Sequence, residues 1–180
     1  MTRVKTLIGQ FSKEIEGRQV LEVACGSAAL SLCAARPAAR VFCIALDDFR
    51  LRPEIIDTPN ILFEKMDARR MRFPSAQFTT IFLYNAVFHL KNVLPEVLTE
   101  CLRVLKPGGC IIAASTFLTD KPILQNEFAA FLESKGIAYA EQGIGKHLYI
   151  RFSAAQDYKK RLYGVPYNRF SDCIRKRCKA

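Results

Sequence analysis

Several features are scarce in this chain of 180 residues, and each scarcity removes a class of function. No segment approaches the roughly 18 uninterrupted apolar residues of a membrane span, so no membrane partner is expected. The N-terminus, MTRVKTLIGQF, carries two early cations but no apolar core of signal-peptide length before Lys13, Glu14 and Glu16. Nothing directs the chain to secretion, and a cytoplasmic protein is expected. Cysteines stand at 25, 33, 43, 101, 110, 173 and 178, with no C-x-x-C pair and no histidine near them at zinc-finger spacing. They read as reduced thiols, mostly in the core, and no metal site is expected. A redox or metal role for Cys173 and Cys178 is the lesser reading, because two thiols do not complete a tetrahedral site. There is no internal repeat and no low-complexity linker.

Acids are also scarce, 17 against 27 lysines and arginines, for a net charge of +10. The imbalance is concentrated beyond Ser153, where Lys159, Lys160, Arg161, Arg169, Arg175, Lys176, Arg177 and Lys179 face only Asp157 and Asp172. Tyr158, Tyr163, Tyr167 and Phe170 interleave with these cations. Such a segment can follow phosphates and stack on bases, or it can pack its aromatics on the body of the protein, which is the preferred reading.

What is present is a folded composition, half hydrophobic and about a quarter charged, at the size of one domain. A hydrophobic strand with an acid at its end opens the stretch Val20 to Leu30, and short apolar runs rich in β-branched and aromatic residues predict further strands at Arg40 to Leu46, Ile61 to Met66, Thr79 to Val87 and Cys110 to Thr116. Helical spacing falls between them, over Ala28 to Ala35, Leu94 to Leu105 and Ile123 to Lys135, with Pro107, Gly108 and Gly109 ending the second. The alternation predicts an α/β fold with a mostly parallel sheet covered on both faces. Its end differs: IAYAEQ, the turn-like GIGK and HLYIRF predict an antiparallel hairpin over Ile137 to Phe152. Between Asp47 and Asn60 two prolines leave room for a couple of helical turns at most, so the crossover after the second strand is expected to be shortened.

In such a sheet ligands bind beyond the carboxyl ends of the strands. The stretches at those ends are Glu22 to Ala28, Asp47 and Asp48, Asp67 and Ala68, and Tyr84 to His89. A glycine at 26 permits a sharp turn, and acids after the second and third strands can accept from ribose hydroxyls and an adenine amino group.

The ordered set VLEVACGSAALSL, CIALDDF, FEKMDARRMRFP, IFLYNAVFHL and VLTECLRVLKPGGCIIAAS resembles the class I S-adenosylmethionine-dependent methyltransferases, in particular the broad small-molecule type that includes quinone-biosynthesis enzymes. The resemblance covers about Val20 to Phe152, including the terminal hairpin. It implies a Rossmann-like methyltransferase sandwich over residues 1–152, with 1–19 as an N-terminal helix and 153–180 as a basic aromatic tail. It further implies S-adenosylmethionine as cofactor. Glu22, Ala24, Cys25 and Gly26 would lie in the loop beside the methionine part, with Glu22 near its ammonium or holding the loop. Asp67 and Ala68 would meet the adenine, and Asn85 would line the pocket beside the sulfonium.

The sequence departs from the family in two places. Where the family has three glycines after the first strand, this chain has Ala24, Gly26 and Ala28, so the loop is expected to be narrowed rather than lost. Where the family's ribose-binding acid ends the second strand, this chain has Ala45. Asp47 follows two residues later on the same side of an extended chain, and Asp47 or Asp48 either reaches the ribose or caps the turn that follows. His89 reads as a pocket wall in preference to a general base, since methyl transfer from a sulfonium depends mainly on in-line positioning and exclusion of water. His147 reads as a surface strand residue. YNAV replaces the N-P-P-Y type of motif, which argues against methylation of nucleobase amino groups or glutamine.

The favoured function is methyl transfer to a small-molecule acceptor. The alternatives are an RNA-directed methyltransferase using the basic tail as a nucleic-acid contact, and a non-catalytic partner domain with the same fold. Nothing in the sequence sets the oligomeric state.

Overall fold

The computed structural model describes residues 3–144 and 147–153. The predicted elements all appear, with shifts at their ends. Strands β1 (Gln19–Val23), β2 (Arg40–Ala45), β3 (Ile61–Lys65), β4 (Phe78–Tyr84) and β5 (Leu105–Ser115) pair in parallel. The hairpin of β6 (Tyr139–Ile144) and β7 (His147–Ser153) adds antiparallel to β5. The strand order is β3-β2-β1-β4-β5-β7-β6, so the chain starts in the middle, runs to one edge and returns to fill the other. His147 falls in β7, as expected for a strand residue. Residues 154–180, with Cys173 and Cys178, and Gly145 and Lys146 of the expected GIGK turn lie outside the described residues.

Strand side chains alternate between faces, and the two faces feed two cores. On one, Leu21, Val23, Ile81, Leu83 and Ile111 pack under α4 (Val87–Leu90), α5 (Leu94–Val104) and the helical stretch that opens at α6 (Asp120–Pro122), passes through a π-helical turn (Ile123–Phe128) and ends as α7 (Ala129–Ser134). On the other, Val20, Val41, Cys43, Phe82 and Ile112 meet α1 (Arg3–Gln10), α2 (Ser12–Ile15) and α3 (Ala29–Ala35). The expected single N-terminal helix is therefore two short ones. They break at Phe11, whose ring packs edge-on against Phe82 with centroids 6.2 Å apart. The ring is buried, and an aromatic side chain removes about 150–250 Å² from water.

Two connections shape the site. The crossover from β2 to β3 holds a single 3₁₀ turn, Pro53–Ile55, confirming the shortened connection predicted from its prolines. The LKPGG segment, read from sequence as a helix stop, does follow the end of α5 at Val104, and it also begins β5. Phe78 pairs with Leu105 and Thr80 with Cys110, so Lys106 to Gly109 bulge out of the ladder. A Cβ on Gly109 would stand 2.8 Å from the Thr79 carbonyl oxygen, so only glycine lets the two strands approach there.

Candidate cofactor site

A cavity of about 600 Å³ opens at the carboxyl ends of β1, β2 and β3, within the roughly 300–1,000 Å³ typical of ligand pockets. Ala24 and Gly26 line it from the loop after β1, and Ala45, Leu46 and Asp47 from the end of β2. Phe49 and Arg50 of the short crossover, and Met66, Asp67, Ala68 and Arg69 after β3, form two further walls. His89 and Leu90 of α4, with Val93 and Val97, close the side toward α5.

The loop after β1 holds an unexpected backbone. Ala24, Gly26 and Ala28 have φ of 54°, 52° and 54°, so the two alanines adopt the left-handed region that the family fills with glycine. An L-residue there costs about 1–2 kcal/mol. Neighbouring bonds hold the path: Cys25 N–H donates to the Ile44 carbonyl at 3.0 Å, and Ala28 N–H donates to that of Cys25 at 2.8 Å. The loop is narrowed by two methyls, and its course is kept.

Glu22 lies beneath this loop and faces away from the cavity, on the side of α3. One carboxylate oxygen accepts from the Ser31 backbone N–H at 2.9 Å and from the Ser31 hydroxyl at 2.5 Å. Of the two positions expected for Glu22, this geometry is that of a residue holding the loop, since the bond to a first-turn amide fixes the start of α3. Burial pushes its carboxyl up to about 7, against the opposing pull of the Ser31 bonds. Cys25 is also turned inward. Its thiol bonds to Cys43, and that bond with burial raises it far above the ordinary thiol range. It differs from the expected cofactor contact because its side chain packs in the core on the α3 side of the sheet.

The two acids after β2 separate. Asp47 lines the cavity, whereas Asp48 pairs with Lys65 at 2.9 Å, which lowers its carboxyl. The pairing follows from register, since Lys65 lies opposite Ala45 on the neighbouring strand. Asp67 lines the cavity with its carboxylate gripped by Arg69: the guanidinium donates at 2.6, 2.9 and 3.1 Å and the Arg69 backbone N–H at 2.9 Å. Those bonds hold the Asp67 carboxyl below its usual range. Ala68 is buried in the same wall.

Asn85 does not line the cavity. It sits at φ 54°, and its Oδ1 accepts from Thr116 N–H at 2.8 Å and from the Ser115 hydroxyl at 3.1 Å. It ties the ends of β4 and β5 together, which corrects the expectation of a residue beside the sulfonium. His89 is exposed at the cavity wall, with its ring edge-on to Phe88 at 6.0 Å. Six of the ten expected site residues thus converge on one cavity: Ala24, Gly26, Asp47, Asp67, Ala68 and His89. Glu22, Cys25, Asp48 and Asn85 have other partners. Sequence reasoning missed Phe49, Arg69 and the apolar pair Val93 and Val97. The pair's spacing of four marks one helix face, which reads equally well as core.

Residues 21–113 match the family described as Methyltransferase domain, which spans half of the chain. Over 133 residues the chain is 28% identical to a demethylmenaquinone methyltransferase of Chlorobaculum parvum, covering 68% of this chain and 52% of that protein. It therefore spans about half the length of that relative. Among solved structures it is similar to a SAM-dependent methyltransferase from Aquifex aeolicus, with a TM-score of 0.69 and 19% identity over 82% of this chain and 88% of that one. It is also similar to the N-methyltransferase NodS from Bradyrhizobium japonicum, with a TM-score of 0.66 and 16% identity over 84% and 94% of the two chains. At those identities the structures establish the fold, and the family match establishes the membership. The chain belongs to the methyltransferase domain family and has its class I, Rossmann-like fold, for which S-adenosylmethionine is the implied cofactor.

Proposed function

We propose that this protein transfers a methyl group from S-adenosylmethionine to a small-molecule acceptor. The observation that carries this reading is the convergence of Asp47 and Asp67 on one cavity beside the Ala24 to Gly26 loop. The donor set suits the cofactor: two carboxylates accept hydrogen bonds from a nucleoside, and S-adenosylmethionine carries no pyrophosphate that would need a three-glycine cradle. The group supplies an electrophilic methyl on a sulfonium, and the protein's part is to bind, orient and exclude water. Asp47 accepts from the ribose hydroxyls, Asp67 and Ala68 meet the adenine, and Gly26 leaves the backbone open to the methionine part. His89 walls the acceptor side.

The cavity rim adds a property of the acceptor. Leu46 and Phe49 lie on the cavity wall and are 75% and 84% exposed, so an acceptor with an apolar, planar face would bury them. This agrees in kind with the name of the relative from Chlorobaculum parvum, a demethylmenaquinone methyltransferase. The five described cysteines are free thiols, which supports a reducing, cytoplasmic setting.

Titration calorimetry with S-adenosylmethionine tests the reading. Binding of one equivalent, tightened by no metal and weakened by Asp47→Asn, is the expected result. A folded protein that takes up no ligand at millimolar concentration would leave the non-catalytic alternative in its place.

A further inference from the structure

The end of the sheet opposite the cavity has a second concavity, of about 300 Å³, at the amino ends of β1, β4 and β5. Lys13, Arg18 and Lys106 line it, with Glu14 as its one acid and Thr79, Thr80 and the Gly108–Gly109 backbone as its floor. Each cation is brought there by a separate piece of the fold. Lys13 comes from α2, Arg18 from the residue before β1, and Lys106 from the bulge that Gly109 makes possible. The ion pairs found among the described residues are Lys65 with Asp48, Arg69 with Asp67, Arg72 with Glu64 and Arg103 with Glu100. None of them uses the three cations of this cleft. Arg36 and Arg40 are exposed near the same end, beyond the turn in which Ala39 and Arg40 N–H donate to the Arg18 carbonyl.

β7 runs antiparallel to β5, and its last residue, Ser153, pairs with Cys110, which lines the cleft. In the sequence, Ser153 is followed by residues 154–180, whose composition is eight cations, two acids and four interleaved aromatics. Positive charge from three elements of the fold meets at one end of the molecule.

We propose that this amino-end cleft binds the phosphodiester backbone of single-stranded RNA. A concave, cationic groove suits a chain of phosphates, and aromatic residues among the following cations suit stacking on unpaired bases. An anionic membrane is the poorer match, because the cleft's lining offers no large apolar side chain for insertion. The cleft lies about 20 Å from the cofactor cavity, the length of a strand of β4's size at about 3.3 Å per residue. RNA bound here is a tether and is distinct from the methyl acceptor.

Fluorescence anisotropy of a labelled oligouridylate of about 20 nucleotides with the full chain is the test. Wild-type protein is expected to bind in the micromolar range and to lose at least about tenfold in affinity between 50 and 200 mM salt. Arg18→Glu with Lys106→Glu should weaken binding at least about tenfold and reduce the slope of log K against log salt by about 1.4. The melting temperature should be unchanged, and saturating S-adenosylhomocysteine should leave RNA binding unaltered. If the charge-reversed protein melts early, the neutral pair Arg18→Gln with Lys106→Gln reads the same slope. The proposal is overturned by wild-type protein that ignores the oligonucleotide, by variants that bind as wild type does, by competition with S-adenosylhomocysteine, or by capture on phosphatidylserine vesicles without RNA binding.

Discussion

Two neighbouring loops have each given up what their family usually keeps, and they have done so differently. After β1 the change is two methyl groups, and the structure absorbs it: Ala24 and Ala28 follow a glycine path with φ near 54° because Cys25 and Glu22 are bonded around them. After β2 the change is a carboxylate, and no backbone adjustment at Ala45 can supply one. The next acid in the chain stands two residues on, where a crossover reduced to one 3₁₀ turn leaves Asp47 on the cavity wall and Asp48 pairs with Lys65. A conformational departure costs about 1–2 kcal/mol per residue and can be spread over the neighbouring bonds. A missing acceptor must be replaced by another atom in the same place.

The most energetic way to probe the first loop is to remove the charge beneath it. Glu22 has a folded value of about 7 where an unburied glutamate has about 4.5, so the folded state binds more protons than the unfolded state between those pH values. Its contribution to stability is therefore complete below about pH 4.5 and declines as pH rises to about 7, by on the order of 3 kcal/mol. Asp48, Asp67 and Glu100 are shifted downward, so their contributions are lost only at more acid pH and do not overlap this window. Urea unfolding at pH 5 and pH 7.5 should show wild-type stability falling across the interval and Glu22→Gln nearly flat. Equal slopes for the two proteins would mean that Glu22 is not the buried acid that governs the loop.

The second loop is probed by its two acids side by side. A carboxylate bonded to neutral donors contributes about 1.5–3 kcal/mol, so Asp47→Asn should weaken S-adenosylmethionine roughly 10- to 100-fold by calorimetry. Asp48→Asn should leave cofactor affinity within about threefold and stability little changed, since Asp48 and its partner Lys65 are both about half exposed. The reverse ranking would break the comparison, because it would make Asp48, and not Asp47 on the cavity wall, the acid that serves the cofactor.

Much of this organisation is legible in the residues. The apolar runs carry the strand order's ingredients, the prolines at 53 and 59 anticipate the lean crossover, and IAYAEQ with HLYIRF anticipates the antiparallel edge. What escapes the sequence depends on side-chain direction near strand ends. Asn85 has the composition of a ligand-binding residue, but its left-handed backbone turns the amide onto β5. Asp48 differs from Asp47 only through the register that puts Lys65 within 2.9 Å. The bulge at Lys106 was hidden for a related reason, because two glycines after a helix look like a stop signal whether the chain turns away or starts a strand. Phe49 reads as loop or core until the absence of a crossover helix leaves it on the rim.

The smallest expected effect separates the two alanines of the first loop from each other. Ala24 is half-buried on the cavity wall, so Ala24→Gly relieves a left-handed L-residue and should stabilise the protein by about 1 kcal/mol. Ala28 is wholly buried against α3 and β2, and its methyl contributes about 0.8 kcal/mol of burial that Ala28→Gly forfeits. The two terms at position 28 nearly cancel, and its variant should unfold within about 0.5 kcal/mol of wild type. Urea midpoints for the two variants at constant m-value make the comparison directly. A destabilised Ala24→Gly would show that the alanine at this position is not under backbone strain in solution. The narrowed loop would then be a relaxed conformation of this sequence, with no cost for its neighbours to absorb.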